Sequence, residues 1–206
     1  MSTLTPRQTQ RRRSILKEVR DQLSSAGYDG LSMRDVAANA GVSPTTLYNL
    51  YESKDGLVLA ALEDLLAELG VAIQATHTTG IERLVARARA IGRQITETPR
   101  YAEAMARMLF AAGPSDPITR ILMSSAARDF EDLLFEMQRR KELRADVDVD
   151  RFVRLLLGNG WAIILLWLKG FIALHDLVDE YIRAHVLTIM PAMTPSAQKR
   201  YAAMAN

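Results

Sequence analysis

The chain has 206 residues, 49% of them apolar, enough for one large domain or two small ones around a substantial core. It has no cysteine, which excludes disulfides and cysteine zinc sites, and its histidines, His77, His175 and His185, lie too far apart to show metal-ligand spacing. The net charge of +2 is small but uneven: in the first 20 residues Arg7, Arg11, Arg12, Arg13, Lys17 and Arg20 stand against Glu18 alone, which points to a polyanionic partner at one end.

The opening MSTLTPRQTQRRRS is polar and basic and lacks the apolar stretch of a secretory signal. The longest apolar run, LLLGNGWAIILLWL at 155–168, is bounded by Arg154 and Lys169, contains Asn159 and two glycines, and is short for a bilayer span. It reads as a buried helix. A soluble, cytoplasmic protein with no membrane partner is expected.

Strand alternation is missing, and Ala, Leu, Arg and Glu recur at helical spacing, so the chain is all-α, with about nine helices in all. Thr5 and Pro6 open the first helix as N-cap and first residue, Ile15, Val19, Leu23 and Ala26 line one face, and Gly27 ends it. Ser32 caps a second helix with Asp35 three residues on, carrying Val36, Ala37 and Ala40 and ending at Gly41. Ser43 and Pro44 open a third, running to about Tyr51. Ser53 caps a long fourth helix through Leu57, Ala61, Leu65 and Leu69 toward residue 75. Short helices joined by a tight glycine turn are the pattern of a helix-turn-helix. Longer helices follow near 80–97, 100–111, 117–140, 149–169 and 174–191, with a further short turn or helix from Thr194. The breaks are Thr98-Pro99, Gly113-Pro114, the charged KELRADVD and Gly170. No flexible linker divides the chain. The expected domains are a helix-turn-helix domain at 1–54 and a larger helical domain at 55–206.

A helical wheel of the third helix puts Leu47, Leu50 and Tyr51 on a core side. Thr45, Tyr48, Asn49 and Glu52 fall opposite, with Thr46 at the edge. Hydroxyls, a phenol and an amide on one face can bond phosphate oxygens and base edges, and a threonine methyl can meet a thymine methyl. A helix of this length, led by its N-terminus, fits the major groove. Lys54 sits in the first turn of the fourth helix, where a cation opposes the helix dipole; a phosphate there would offset that cost. Ser32 and Ser43, as N-caps, leave backbone N–H groups nearby for the same purpose.

Residues 27–57 resemble the DNA-binding signature of the TetR (tetracycline-repressor) family of bacterial regulators. The resemblance is carried by Gly27-Tyr28, Ser32, Val36-Ala37, Ala40-Gly41-Val42-Ser43, Leu47-Tyr48 and Ser53-Lys54-Asp55-Gly56-Leu57. It implies a homodimer that binds an inverted-repeat operator in double-stranded DNA, with one third helix per half-site. By position, Ser32, Thr45, Tyr48 and Lys54 would meet phosphates or sugars, and Arg34 with the Thr45–Asn49 segment would lie nearest the bases. Leu50 and Asn49 depart from the family pattern, which often has Tyr or His at the first position and His at the second.

The resemblance also implies a small-molecule effector held among the later helices. Methionines and aromatics suit an adaptable apolar cavity, and Tyr101, Met105, Met108, Phe130, Leu134, Asn159 and Trp161 are the candidate lining. Plain core packing is the better reading of any single one of them. With no buried charge cluster legible, an apolar or weakly polar effector is expected. Gly158 and Gly160 lack the third glycine and the strand of a dinucleotide fingerprint and read as a close approach of another helix. Apolar stripes holding Phe152, Leu156, Leu165, Ile182, Val186 and Ile189 fit the four-helix dimer bundle that the resemblance suggests. No cofactor and no metal is expected. The expected function is a ligand-responsive regulator, most simply a repressor. The alternative is a constitutive dimeric DNA-binding protein without an effector. An enzyme is not expected, since no nucleophile elbow, metal spacing or phosphate loop is present.

Overall fold

Thr5 opens the fold with a reciprocal cap: its N–H donates to Gln8 Oε1 at 2.8 Å, and the Gln8 N–H donates to Thr5 Oγ1 at 3.3 Å. The computed structural model describes residues 5–113 and 116–202. In chain order the helices are α1 (Pro6–Gly30), α2 (Met33–Asn39), α3 (Pro44–Tyr51), α4 (Lys54–Gln74), α5 (Gly80–Glu97), α6 (Pro99–Ala111), α7 (Pro117–Arg139), α8 (Val149–Leu168), α9 (Leu177–Ile189) and α10 (Pro195–Tyr201). No strand occurs among the described residues; Leu143 and Met193 form a single antiparallel bridge. The all-α reading therefore holds.

The differences from sequence expectation are local. α1 does break at Gly27, which has φ 67°, but one more turn runs to Gly30 before the chain extends. The last long helix starts at Leu177 and ends at Ile189, and Met190–Ala192 continues as a 3₁₀ turn around Pro191, which has no N–H for an α-helical bond. Pro114, half of the expected Gly113-Pro114 break, lies outside the described residues.

The chain forms two compact units. The first holds residues up to 68 together with 98–118, so it keeps most of α4 and takes in α6, beyond the expected boundary after residue 54. α6 packs on α1, burying Tyr101, Met105, Ala106 and Leu109, while α4 buries Leu57, Val58, Ala61, Leu62 and Leu65. α1 contributes Ile15, Leu16, Val19 and Leu23.

The second unit holds 69–97 and the residues from 119 onward. Its core joins Ile81 and Leu84 of α5, Phe130, Leu134 and Met137 of α7, Leu156 of α8, and Val186 and Ile189 of α9. Gly92 admits α9 closely, since a β-carbon there would stand 2.0 Å from Val178 Cγ2. Glu142, 4% exposed, holds the C-terminal helix: Arg200 Nη1 donates to its Oε1 at 2.9 Å and the Tyr201 hydroxyl at 3.4 Å. α8 is long and apolar enough to cross a membrane by length and composition alone; Val153, Leu156, Gly160, Ile163 and Trp167 on it are buried, but only 28% of its apolar window is, so the expected buried helix is buried along one side only.

Candidate nucleic-acid interface

The helix-turn-helix is built from local caps and a few long-range bonds. The Ser32 hydroxyl accepts from the Asp35 N–H at 3.3 Å, and the Ser32 N–H donates to Gln22 Oε1 of α1 at 3.2 Å. The Asn39 amide donates to Glu18 Oε1 at 2.7 Å, tying the far end of α2 to the same helix. Gly41, at φ 67°, turns the chain into α3, as only a glycine does without strain. Ser43 then caps α3, accepting from the Thr46 N–H at 3.1 Å and lying 2.8 Å from the Thr46 hydroxyl.

α3 buries Leu47 completely and exposes Tyr48 by 50%. Arg34, Ser43, Thr45, Tyr48 and Asn49 are the exposed members of the expected contact set; Ser32, Thr46 and Lys54 are half-buried. The expected core position of Leu50 is incorrect, because this residue is 55% exposed. Leu47 and Tyr51 lie roughly 40° apart on the wheel and fill the inward side, and Leu50 lies roughly 60° from Leu47 on the other flank.

Lys54 is met within the protein. Its ammonium lies 4.4 Å from the centroid of the Tyr28 ring and donates to the Asp29 carbonyl at 3.4 Å. The Tyr28 hydroxyl donates to the Asp55 carboxylate, and that bond, reinforced by burial, pushes the phenol up to about 12. The break at Gly27 allows Tyr28 to reach the first turn of α4, which gives the Gly-Tyr and Lys-Asp pairs a common structural reason. Gly56 completes the joint: a β-carbon there would stand 2.2 Å from the Tyr51 carbonyl oxygen.

The basic N-terminal stretch is partly neutralised. Arg12 pairs with Asp64 at 3.5 Å, and Arg20 reaches Asp64 and Glu68 at 3.8 Å each. Arg7, Arg11 and Arg13 are exposed.

The expected effector lining is divided between the units. Tyr101, Met105 and Met108 stand on α6 of the first unit, with Tyr101 buried and its phenol pushed up to about 12 by that burial. Phe130 and Leu134 lie in the core of the second unit. Asn159 Nδ2 donates to the Thr188 hydroxyl, and Trp161 is half-buried on the same helix. Sequence reading missed a buried polar cluster in that unit, formed by Arg87, Asp129, Tyr181 and His185. Arg87 Nη1 donates to Asp129 Oδ2, and His185 is completely buried, stacked on Tyr181 with centroids 4.1 Å apart. Its ring nitrogens face the carbonyls of Tyr181 at 2.7 Å and Leu156 at 3.0 Å. The members are spread over α5, α7 and α9, so no local spacing announces them.

The expected dimer set also needs correction. Leu156, Val186 and Ile189 are 0% exposed, and a side chain with no surface in the protomer has none to give a partner. Phe152 and Ile182 pack partly on the same core, and Leu165 is exposed. On α8 and α9 the outward large apolar positions are Leu155, Leu165, Leu166 and Leu187. Of the two glycines, Gly160 lies close to Tyr181, since a β-carbon there would stand 3.3 Å from its ring, whereas Gly158 has open space beside it.

A family model described as bacterial regulatory proteins, tetR family, matches residues 15–61. The HTH-type transcriptional regulator BetI of Brucella abortus (strain 2308) is 31% identical over 135 residues, 62% of this chain and 66% of the relative. The HTH-type transcriptional repressor KstR of Mycolicibacterium smegmatis is 32% identical over 134 residues, 61% of this chain and 65% of the relative. In both cases the match spans just under two thirds of the relative's own length. The solved transcriptional regulator FadR of Bacillus subtilis, in complex with stearoyl-CoA, shares the fold at a TM-score of 0.69 and 17% identity, covering 86% of this chain and 97% of that one.

Proposed function

We propose, from the premise that this chain belongs to the tetR family of bacterial regulatory proteins, that it is a dimeric transcriptional repressor released from an inverted-repeat operator by a small molecule. The exposed Thr45, Tyr48 and Asn49 on a helix whose Leu47 is locked inward carry this reading. Hydroxyls, a phenol and an amide on one exposed face suit a major groove. Arg34, Ser32, Ser43, Thr46 and Lys54 are the flanking contacts. Ser32 and Ser43 serve as caps first, so their share is the alignment of backbone N–H groups toward phosphates.

Dimerisation is assigned to the outward face of α8. Leu155, Gly158, Ala162 and Leu165 recur along it at intervals of three and four residues, all exposed. That spacing is a helix-packing stripe, and open space beside Gly158 permits close approach. Control by an effector would act by changing the populations of dimers that hold their α3 helices at different spacings. The BetI, KstR and FadR resemblances support the regulator reading, and the stearoyl-CoA complex of FadR supports a ligand in this fold. Binding DNA places the protein in the cytoplasm.

The second reading, a constitutive binder, draws support from Phe130 and Leu134, which are 2% and 0% exposed and already packed. Selection of bound duplexes from a random library tests the main reading. An inverted repeat with half-sites about one helical turn apart or more is expected. Recovery of unrelated sequences with no symmetry contradicts it.

A further inference from the structure

The buried polar cluster of the second unit opens onto a cleft. The Arg87 side chain is 13% exposed, donates from Nη1 to one oxygen of Asp129, and is hydrogen-bonded to the Tyr181 hydroxyl. Its guanidinium lies 5.4 Å from the centroid of the Phe130 ring. Nε is buried without an acceptor. A guanidinium this deep is costly unless its N–H groups are met, and burial indeed holds Arg87 below the ordinary arginine range. Asp129, by contrast, is 43% exposed. Arg87 thus keeps one donor unused beside a carboxylate that can leave.

The cleft is partly open to solvent and is lined by Ile73, Arg83, Leu84, Arg87, Asp129, Phe130 and Leu133. Arg83 is paired with Glu136 at 3.6 Å. Apolar side chains and a ring therefore surround one incompletely satisfied planar cation. We propose that this cleft binds a small carboxylate with an apolar tail, held side-on by Arg87 in place of Asp129. The planar fork of arginine matches the two oxygens of a carboxylate, and Nε with one terminal nitrogen forms that match. Asp129 contacts a terminal nitrogen only, so the incoming group satisfies a donor that Asp129 leaves empty. A cationic ligand would have to displace Arg87 from Asp129 and then sit beside Arg83. This proposal rests on the effector reading and names the chemical class of the effector, which the sequence had suggested to be apolar or weakly polar.

The test is calorimetric titration of the full-length protein with straight-chain carboxylates from acetate to decanoate, each beside its neutral amide. The acids should bind about tenfold or more tighter than their amides at the preferred length. Arg87→Gln should abolish the preference. Because that variant can lose stability, Asp129→Asn is the companion: with the internal carboxylate gone, acid binding should tighten about fivefold or more. An ion pair that is structural only predicts lower stability for Asp129→Asn and no gain in acid binding. Equal or absent binding of acids and amides across the series, in both the natural protein and Asp129→Asn, overturns the proposal. Operator affinity measured in the same samples separates the two claims. If acids bind selectively and operator affinity does not move, the cleft stands and the effector reading falls. If some other ligand releases DNA while acids bind no better than amides, the cleft proposal falls and the effector reading stands.

Discussion

The Lys54 ammonium rests 4.4 Å from the centroid of the Tyr28 ring, while the hydroxyl of that ring donates to Asp55 one residue further on. A cation in the first turn of α4 works against the helix dipole, and the tyrosine face with the Asp29 carbonyl offsets it. Lys54 thus ties the end of α1 to the start of α4 and is also a candidate phosphate contact. Tyr28→Leu should remove both interactions and lower stability by about 1 kcal/mol or somewhat more. Tyr28→Phe should recover the ring's share and lose only the hydroxyl's. Urea unfolding of the two variants separates these contributions. Equal losses would show that the ring contributes nothing.

Gly56 sets how closely the end of α3 approaches α4. Gly56→Ala must push against the Tyr51 carbonyl, a backbone atom that cannot rotate aside. A cost of about 1–3 kcal/mol and a marked loss of DNA affinity are expected, with the second unit's core intact. Amide hydrogen exchange should show loosening at α3 and not at α8. Unchanged exchange at α3 would contradict this.

Much of this architecture was legible because its signals are local. Thr5-Pro6, Ser32, Ser43-Pro44 and Ser53 each cap a helix within a few residues, and all the helices they imply are present. Leu50 was misplaced because a wheel averages a face over the whole helix, whereas α3 is short and buries only Leu47 completely. The Arg87 cluster was invisible because its residues are brought together by packing of α5, α7 and α9. Leu156, Val186 and Ile189 show the same limit in reverse: an apolar stripe identifies a covered face and does not say whether the cover is the same chain or another.

The α8 face separates these cases. Leu155→Glu with Leu165→Glu places charges on exposed positions, so the protomer should keep its fold. The dimer should dissociate, with affinity lowered by about a hundredfold or more. Sedimentation velocity measures it. A persistent dimer would move the interface elsewhere.

His185 gives the second unit a pH signature. Burial lowers its folded pKa below the ordinary 6.5, against the smaller opposing pull of the Tyr181 and Leu156 carbonyls, and the charge on Arg87 lowers it further. The unfolded chain therefore binds the proton more readily. Stability from this residue is fully present above about 6.5 and declines as pH falls toward the folded value. Thermal unfolding from about pH 8 to about pH 5 should show a decline that is shallower in His185→Gln. The same slope in both proteins would assign the decline to other groups.

DNA recognition by the exposed face of α3 is the central claim, and fluorescence anisotropy with DNA flanking the protein's own gene tests it most directly. The natural protein is compared with Thr45→Ala/Tyr48→Ala, whose sites are exposed and whose fold should persist. Tight binding that weakens steeply between about 50 mM and 200 mM salt, and falls by about tenfold or more in the variant, is expected. Equal affinity of the two proteins for that DNA, at every salt concentration, would contradict the claim.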